Sequence, residues 1–134
     1  MDVAAGSAID LGSWTLTEER VRDYLDAVGD GLDLYLGSGV VPPLALCAYA
    51  LGAMVEKLSL PGGTIHSIQE MEALAGVAIG DEIRGEAVPE RPRSRGGLRF
   101  MTVGYTLTGS TGEVVQTGKT TVLAPEGEAA ADNG

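Results

Sequence analysis

An α+β domain, in which a curved antiparallel sheet wraps around one long central helix, is the fold class this sequence predicts. Two observations carry that expectation. The stretch from Leu44 to Leu58 has helical composition and is apolar almost all round, with Leu46, Cys47, Tyr49, Leu51, Met54 and Val55 spread over every face. Four extended segments separated by turn signals then follow it. A helix without a polar face must be enclosed, and in a chain of 134 residues the late strands are what can enclose it.

Taken in order, Met1 to Asp10 has neither the basic segment nor the apolar core of a secretory signal. Residues 1–10 are expected to be a flexible N-terminus ahead of a single domain over residues 11–125. Trp14 reads as a strand residue that packs beneath the first helix. Thr17 offers an N-cap hydroxyl, and Glu18 and Glu19 place acids at the positive helix end. Val21, Tyr24, Leu25 and Val28 then share a face, and Gly29 closes this short amphipathic helix. Pro42 and Pro43 suit the first turn of the central helix, where a missing N–H costs little. Pro61-Gly62-Gly63 breaks the chain after it. The strands are expected over Thr64–Leu74, Glu82–Glu90, Leu98–Thr108 and Glu113–Leu123, with Gly109-Ser110-Thr111-Gly112 as a tight hairpin turn. Alternation is clear in Arg99, Met101, Val103, Tyr105 and Leu107. Residues 126–134, rich in Glu, Ala, Gly and Asp, read as a disordered tail.

Bulk charge narrows the function. The formal net charge is -10 and only 9 residues are Lys or Arg, so nucleic acid is repelled over most of the surface. The single cysteine, Cys47, excludes an intrachain disulfide and a multi-thiolate metal site, and its apolar surroundings make it a small buried hydrophobe. The longest apolar run, Val40 to Val55, contains two prolines and stops short of the roughly 20 residues that span a bilayer. A soluble, cytoplasmic protein without membrane contact is expected. Gly29-Asp30-Gly31 and Gly37-Ser38-Gly39 lack both the strand-to-helix context and the lysine of a nucleotide loop.

Several short motifs stand in a fixed order: Asp30 and, at a set gap, Tyr35; Val41-Pro42-Pro43 at the central helix; Gly63-Thr64-Ile65-His66-Ser67-Ile68-Gln69-Glu70 on the first long strand; Gly80-Asp81 before the next; and Gly112-Glu113-Val114-Val115 in the last hairpin. In this order the chain resembles the MaoC-like (R)-specific enoyl-thioester hydratases and dehydratases, which have the hot-dog fold, from about Trp14 to Pro125. It is most similar to their amino-terminal halves or partner subunits. In those, Tyr commonly stands where the active half has its catalytic His, and Pro-Pro replaces His-Gly before the central helix. The resemblance implies an acyl-thioester substrate on coenzyme A or an acyl carrier, no cofactor and no metal. It also implies a second hot-dog subunit or a homodimer, whose sheets join edge to edge. The segment Leu36-Gly37-Ser38-Gly39-Val40 is shorter than the family's overhanging segment over the acyl pocket. The tunnel is therefore either more open or completed by another chain.

The resemblance places Asp30 and Tyr35 as candidate catalytic residues, and His66 joins them as a candidate substitute base. In the family's mechanism an Asp and a His share a water that adds to the enoyl β-carbon, and a backbone N–H polarises the thioester carbonyl. An unperturbed phenol titrates near ~10 and an imidazole near ~6.5, so Tyr35 does not replace histidine as a base near neutrality. Asp30 equally suits a turn cap after Gly29, and Tyr35 can simply pack against Tyr49. His66, the only histidine, is either a structural or interface residue or a base recruited across a dimer. Val41 and Pro42 are candidate substrate contacts. So are Arg91, Arg93, Arg95 and Arg99, four of the 9 basic residues, which suit the phosphates of coenzyme A or an acidic carrier surface and otherwise form a solvated loop. Three functions stay open. The first is a non-catalytic or weakly catalytic subunit of an enoyl-CoA hydratase or dehydratase, completing the pocket of a histidine-containing partner. The second is a self-sufficient homodimeric hydratase or a thioesterase using Asp30, Asp33 or Glu70. The third is an acyl-CoA binding module without turnover.

Overall fold

Alternating inward residues of the late strands build one sheet over one face of the central helix. The computed structural model describes residues 6–28, 39–58 and 64–125. Its elements are β1 (Ile9–Thr15), α1 (Glu18–Ala27), α2 (Pro43–Leu58), β2 (Ile65–Ala73), β3 (Glu82–Pro89), β4 (Arg93–Arg95), β5 (Leu98–Gly109) and β6 (Val114–Pro125). The sheet order is β1-β3-β5-β6-β2, every pairing is antiparallel, and β4 pairs with β5 in line with β3. This is the hot-dog arrangement that the sequence predicts. The four late strands fall within two residues of their expected bounds, because turn residues mark the ends of each.

Two strands go beyond the expectation. β1 takes in Ile9 and Asp10, which pair with Ala87 and Glu86, and the Gly6 N–H donates to the Pro89 carbonyl at 2.8 Å. Pairing thus reaches into the segment expected to be flexible. Gly12 has φ +98° at the β1 bulge, and the Asp10 carboxylate accepts its N–H at 2.8 Å, a conformation open to glycine at no steric cost. β4 lies in the segment read as a loop. Three residues between two turns are too few for alternation to reveal.

α1 begins where the cap chemistry places it, with Thr17 Oγ1 accepting the Arg20 N–H at 3.2 Å. Val21 and Leu25 are buried, whereas Val28 is the C-cap residue and faces solvent. In α2, Ala45, Leu46, Cys47, Ala50 and Met54 are buried against the sheet. Complete enclosure, as expected from its composition, does not occur among the described residues. Leu44 is 61% and Val55 58% exposed, Ala48 is exposed and Leu51 half-buried. Positions 44, 48, 51 and 55 form one stripe along the helix. A single sheet covers only the face that it curves around, so this stripe stays open. No helix among the described residues is long and apolar enough to cross a membrane.

The loop between β2 and β3 ties β1 to the start of α2. Val41 N–H donates to the Val77 carbonyl, Ile79 N–H to that of Gly39, and Leu16 N–H to that of Asp81. Asp81 also takes the Ala78 N–H on its carboxylate at 3.0 Å. The Gly80-Asp81 motif is therefore a clasp that sets the position of the central helix.

Candidate functional site

The inward faces of β2, β5 and β6 and the second half of α2 leave a space between them. Leu51, Met54, Val55 and Leu58 form its helical wall, and Val103, Val122, Thr64, His66 and Thr120 form the opposite one. Its volume is about 310 Å³, at the lower end for small-molecule sites. The helical residues follow i, i+3, i+4, i+7 spacing, so one face of α2 lines the space along two turns. The space adjoins β2, which among the described residues has a strand on one side only and exposes Ile65 and Ile68.

The polar groups of this wall bind one another. Thr120 Oγ1 donates to Gln69 Oε1 at 2.7 Å, and His66 Nε2 lies 3.2 Å from the same oxygen. Gln69 Nε2 donates to the Glu70 carbonyl at 2.9 Å, which orients the amide. A Gln oxygen accepts only, so His66 Nε2 carries the hydrogen and Nδ1 keeps its lone pair in the neutral ring. His66 is thus held on an edge strand, on the inner face opposite Val122.

A second polar group lies deeper. Gln116 is fully buried, accepts the Tyr105 hydroxyl on Oε1 at 2.7 Å and donates through Nε2 to the Pro43 carbonyl at 3.0 Å. Burial, then the hydrogen bond and charge interaction with Cys47, push the Tyr105 phenol far above its ordinary range. Tyr105 occupies space that a Cβ at Gly118 would take, since Gly118 is its direct cross-strand neighbour. This chain pins the first turn of α2 to the sheet. Sequence reasoning missed it, although the inward row of β6, Gln116, Gly118, Thr120, Val122 and Ala124, carries two polar residues and a glycine where a plain core strand would be aliphatic.

Of the residues singled out in the sequence, Asp30, Asp33 and Tyr35 lie outside the described residues. Tyr49 packs with Tyr24, ring centroids 6.5 Å apart in an edge-on arrangement, donates its hydroxyl to the Arg20 carbonyl at 3.2 Å and lies under the Arg20 guanidinium. Burial raises its pKa against the opposing pull of Arg20. Val41 is 2% exposed and Pro42 is buried, so both support the start of α2 and neither lines the cavity. Glu70 stands on the outer face beside Lys119, away from the cavity. Arg93 and Arg95 are on the outer face opposite Phe100 and Leu98. Arg99 is on the inner face opposite Ala124, four residues along β5 from Val103 and so about 13 Å from it. Among the described residues none of the four arginine side chains makes a hydrogen bond or an ion pair; the carboxylates of Glu18 and Glu90 go to Arg22 and Lys119. Cys47 is buried as expected, and no group of metal-ligating side chains occurs among the described residues.

No protein-family model matches this sequence, and no curated protein matches it. Solved structures do match in fold. The monoamine oxidase regulatory protein from Archaeoglobus fulgius superposes with a TM-score of 0.76 at 18% identity, over 92% of this chain and 92% of that one. The (R)-hydratase from A. caviae involved in PHA biosynthesis gives 0.72 at 18% identity, over 90% and 96%. The HadBC complex from Mycobacterium tuberculosis, a (3R)-hydroxyacyl-ACP dehydratase, gives 0.73 at 16% identity, over 92% and 98%. The chain has the hot-dog fold of the MaoC-like hydratases and dehydratases.

Proposed function

We propose that this chain is a MaoC-like subunit, non-catalytic or weakly catalytic by itself, that pairs with a histidine-containing hot-dog partner in an acyl-thioester hydratase or dehydratase. The observation that carries the reading is the half-open cavity. Its apolar helical wall continues into the uncovered stripe of Leu44, Ala48, Leu51 and Val55, and its other wall ends on the unpaired edge of β2. An edge strand beside exposed apolar surface is a template for another chain. A second hot-dog sheet joined along β2 closes both at once.

Two further features support a supporting role. Tyr35 stands where the hydratase pattern has its base, and the sole imidazole, His66, is engaged by Gln69. Enoyl hydration also needs a donor on the thioester carbonyl, and a helix N-terminus is a natural source of one. Pro42 precedes α2 and Pro43 opens it, and neither has an N–H to give. Asp30 and Tyr35 then belong to the wall of the acyl pocket, and Arg91, Arg93, Arg95 and Arg99 receive the anionic carrier of the thioester. The isolated chain is expected to hydrate crotonyl-CoA negligibly, with turnover appearing when the histidine-containing partner is added. Robust turnover by the isolated chain, abolished in Asp30→Ala, overturns this reading.

One observation favours a second reading, a homodimeric hydratase that recruits His66 as its base. The bond from Nε2 to Gln69 fixes the ring tautomer and leaves the Nδ1 lone pair free to accept a hydrogen. In that case the isolated chain turns over and His66→Ala abolishes the rate; an unchanged rate removes it.

A further inference from the structure

We infer that the crevice between β1, α1 and α2 is a second ligand site, and that it takes a flat aromatic carboxylate. It lies on the opposite face of α2 from the acyl cavity and owes nothing to the acyl-pocket reading. Tyr49, Gly52, Ala53 and Glu56 follow i, i+3, i+4, i+7 spacing and form its helical wall. The acyl cavity uses Leu51, Met54, Val55 and Leu58 instead. Leu11 and Trp14 of β1 and the exposed side chains of Arg20 and Lys57 complete the crevice. Its volume is about 430 Å³, within the range of small-molecule sites.

Three residues define the ligand. Arg20 is already in place: its guanidinium lies over the Tyr49 ring, 5.7 Å from the centroid, and the Tyr49 hydroxyl donates to the Arg20 carbonyl at 3.2 Å. Its guanidinium N–H groups have no hydrogen-bond or ion-pair partner among the described residues. A guanidinium fork fits a carboxylate through two parallel bonds, and a fork held in advance loses little freedom on binding one. Trp14 supplies a flat apolar surface. Its six-membered ring packs over Gly85, where a Cβ would come within 3.1 Å. The half-buried indole keeps an N–H without a partner among the described residues, a further donor of a kind that ordinarily finds one. Gly52 leaves the room, since a Cβ there meets nothing within 4 Å. Lys57 sets a second cation against the single acid of the lining, Glu56. An aliphatic acid satisfies the fork and not the indole face; a neutral arene does the reverse.

Trp14 is the only tryptophan, so its indole N–H gives one NMR signal that reports on this crevice. The full-length chain is titrated with naphthoate, with the neutral naphthalenemethanol and with decanoate. Naphthoate is expected to move the Trp14 signal saturably, and the alcohol and decanoate to bind roughly tenfold more weakly. Arg20→Lys keeps the charge and loses the fork, and is expected to bring acid and alcohol towards equal affinity. Gly52→Leu fills the crevice at a helical position where leucine is favoured over glycine. It is expected to abolish the naphthoate shift and to leave the acyl cavity, which Gly52 does not line, as it was. A Trp14 signal that stays still, an alcohol or decanoate that binds as tightly as naphthoate, or a shift that survives Gly52→Leu overturns the second site. None of these outcomes touches the acyl-pocket reading.

Discussion

Gln116 is the residue whose loss would be felt furthest. It joins three elements through a single amide: β5 by the Tyr105 hydroxyl, β6 by its own backbone, and α2 by the Pro43 carbonyl. Gln116→Leu removes both of these hydrogen bonds and leaves the buried Tyr105 hydroxyl with Cys47 alone. The expected destabilisation is about 2–4 kcal/mol, read as a lower urea midpoint. Tyr105 adds a pH dependence. Burial favours the neutral phenol in the folded chain, whereas an unfolded tyrosine ionises near ~10. The stability that Tyr105 contributes is therefore complete below that pH and is lost as the pH rises beyond it. The urea midpoint is expected to decline on the alkaline side of about 10, and to decline less in Tyr105→Phe. An identical alkaline slope in both proteins would show that other groups govern it.

At the scale of elements, α2 is unusual in being apolar on a side that the sheet does not reach. Leu44 and Val55 are both more than half exposed. Exposed positions contribute little to the fold of one chain, within about 0.5 kcal/mol on typical surfaces. Leu44→Glu even places an acid near the positive end of the helix. The double variant Leu44→Glu, Val55→Glu is expected to fold with an almost unchanged melting temperature but to lose association with the proposed hot-dog partner by more than tenfold in sedimentation experiments. Unchanged association would place the partner on another face. β2 belongs to the same argument. It pairs with β6 along one edge and, among the described residues, has no strand along the other.

Across the whole molecule the charges are segregated. The formal net charge is -10, yet Arg91, Arg93, Arg95 and Arg99 gather at one hairpin with no carboxylate bonded to them among the described residues. Guanidiniums in such a group attract a polyphosphate, and the attraction weakens with ionic strength. Coenzyme A thioester binding is expected to lose affinity as salt is raised, and Arg93→Glu with Arg95→Glu to flatten that dependence. A salt response identical to that of the unaltered protein would return these arginines to the role of a solvated hairpin.

Local pattern by itself determined the order and approximate bounds of the late strands, the Thr17 cap, the central helix and the burial of Cys47. Each follows from interactions a few residues apart: turn chemistry, period-two alternation, helical spacing. Tertiary structure alone decided the rest. It extended the strand read at Trp14 into β1 over Ile9–Thr15 and added β4 over Arg93–Arg95, through register with distant partners. It turned a helix read as enclosed into one with an open stripe, because coverage depends on how far a sheet curves. It also brought His66, Gln69 and Thr120 together across the β2–β6 pairing, although 51 positions separate Gln69 from Thr120. Composition reports how much apolar surface must be hidden; only the arrangement in space says which part is left for another molecule to hide.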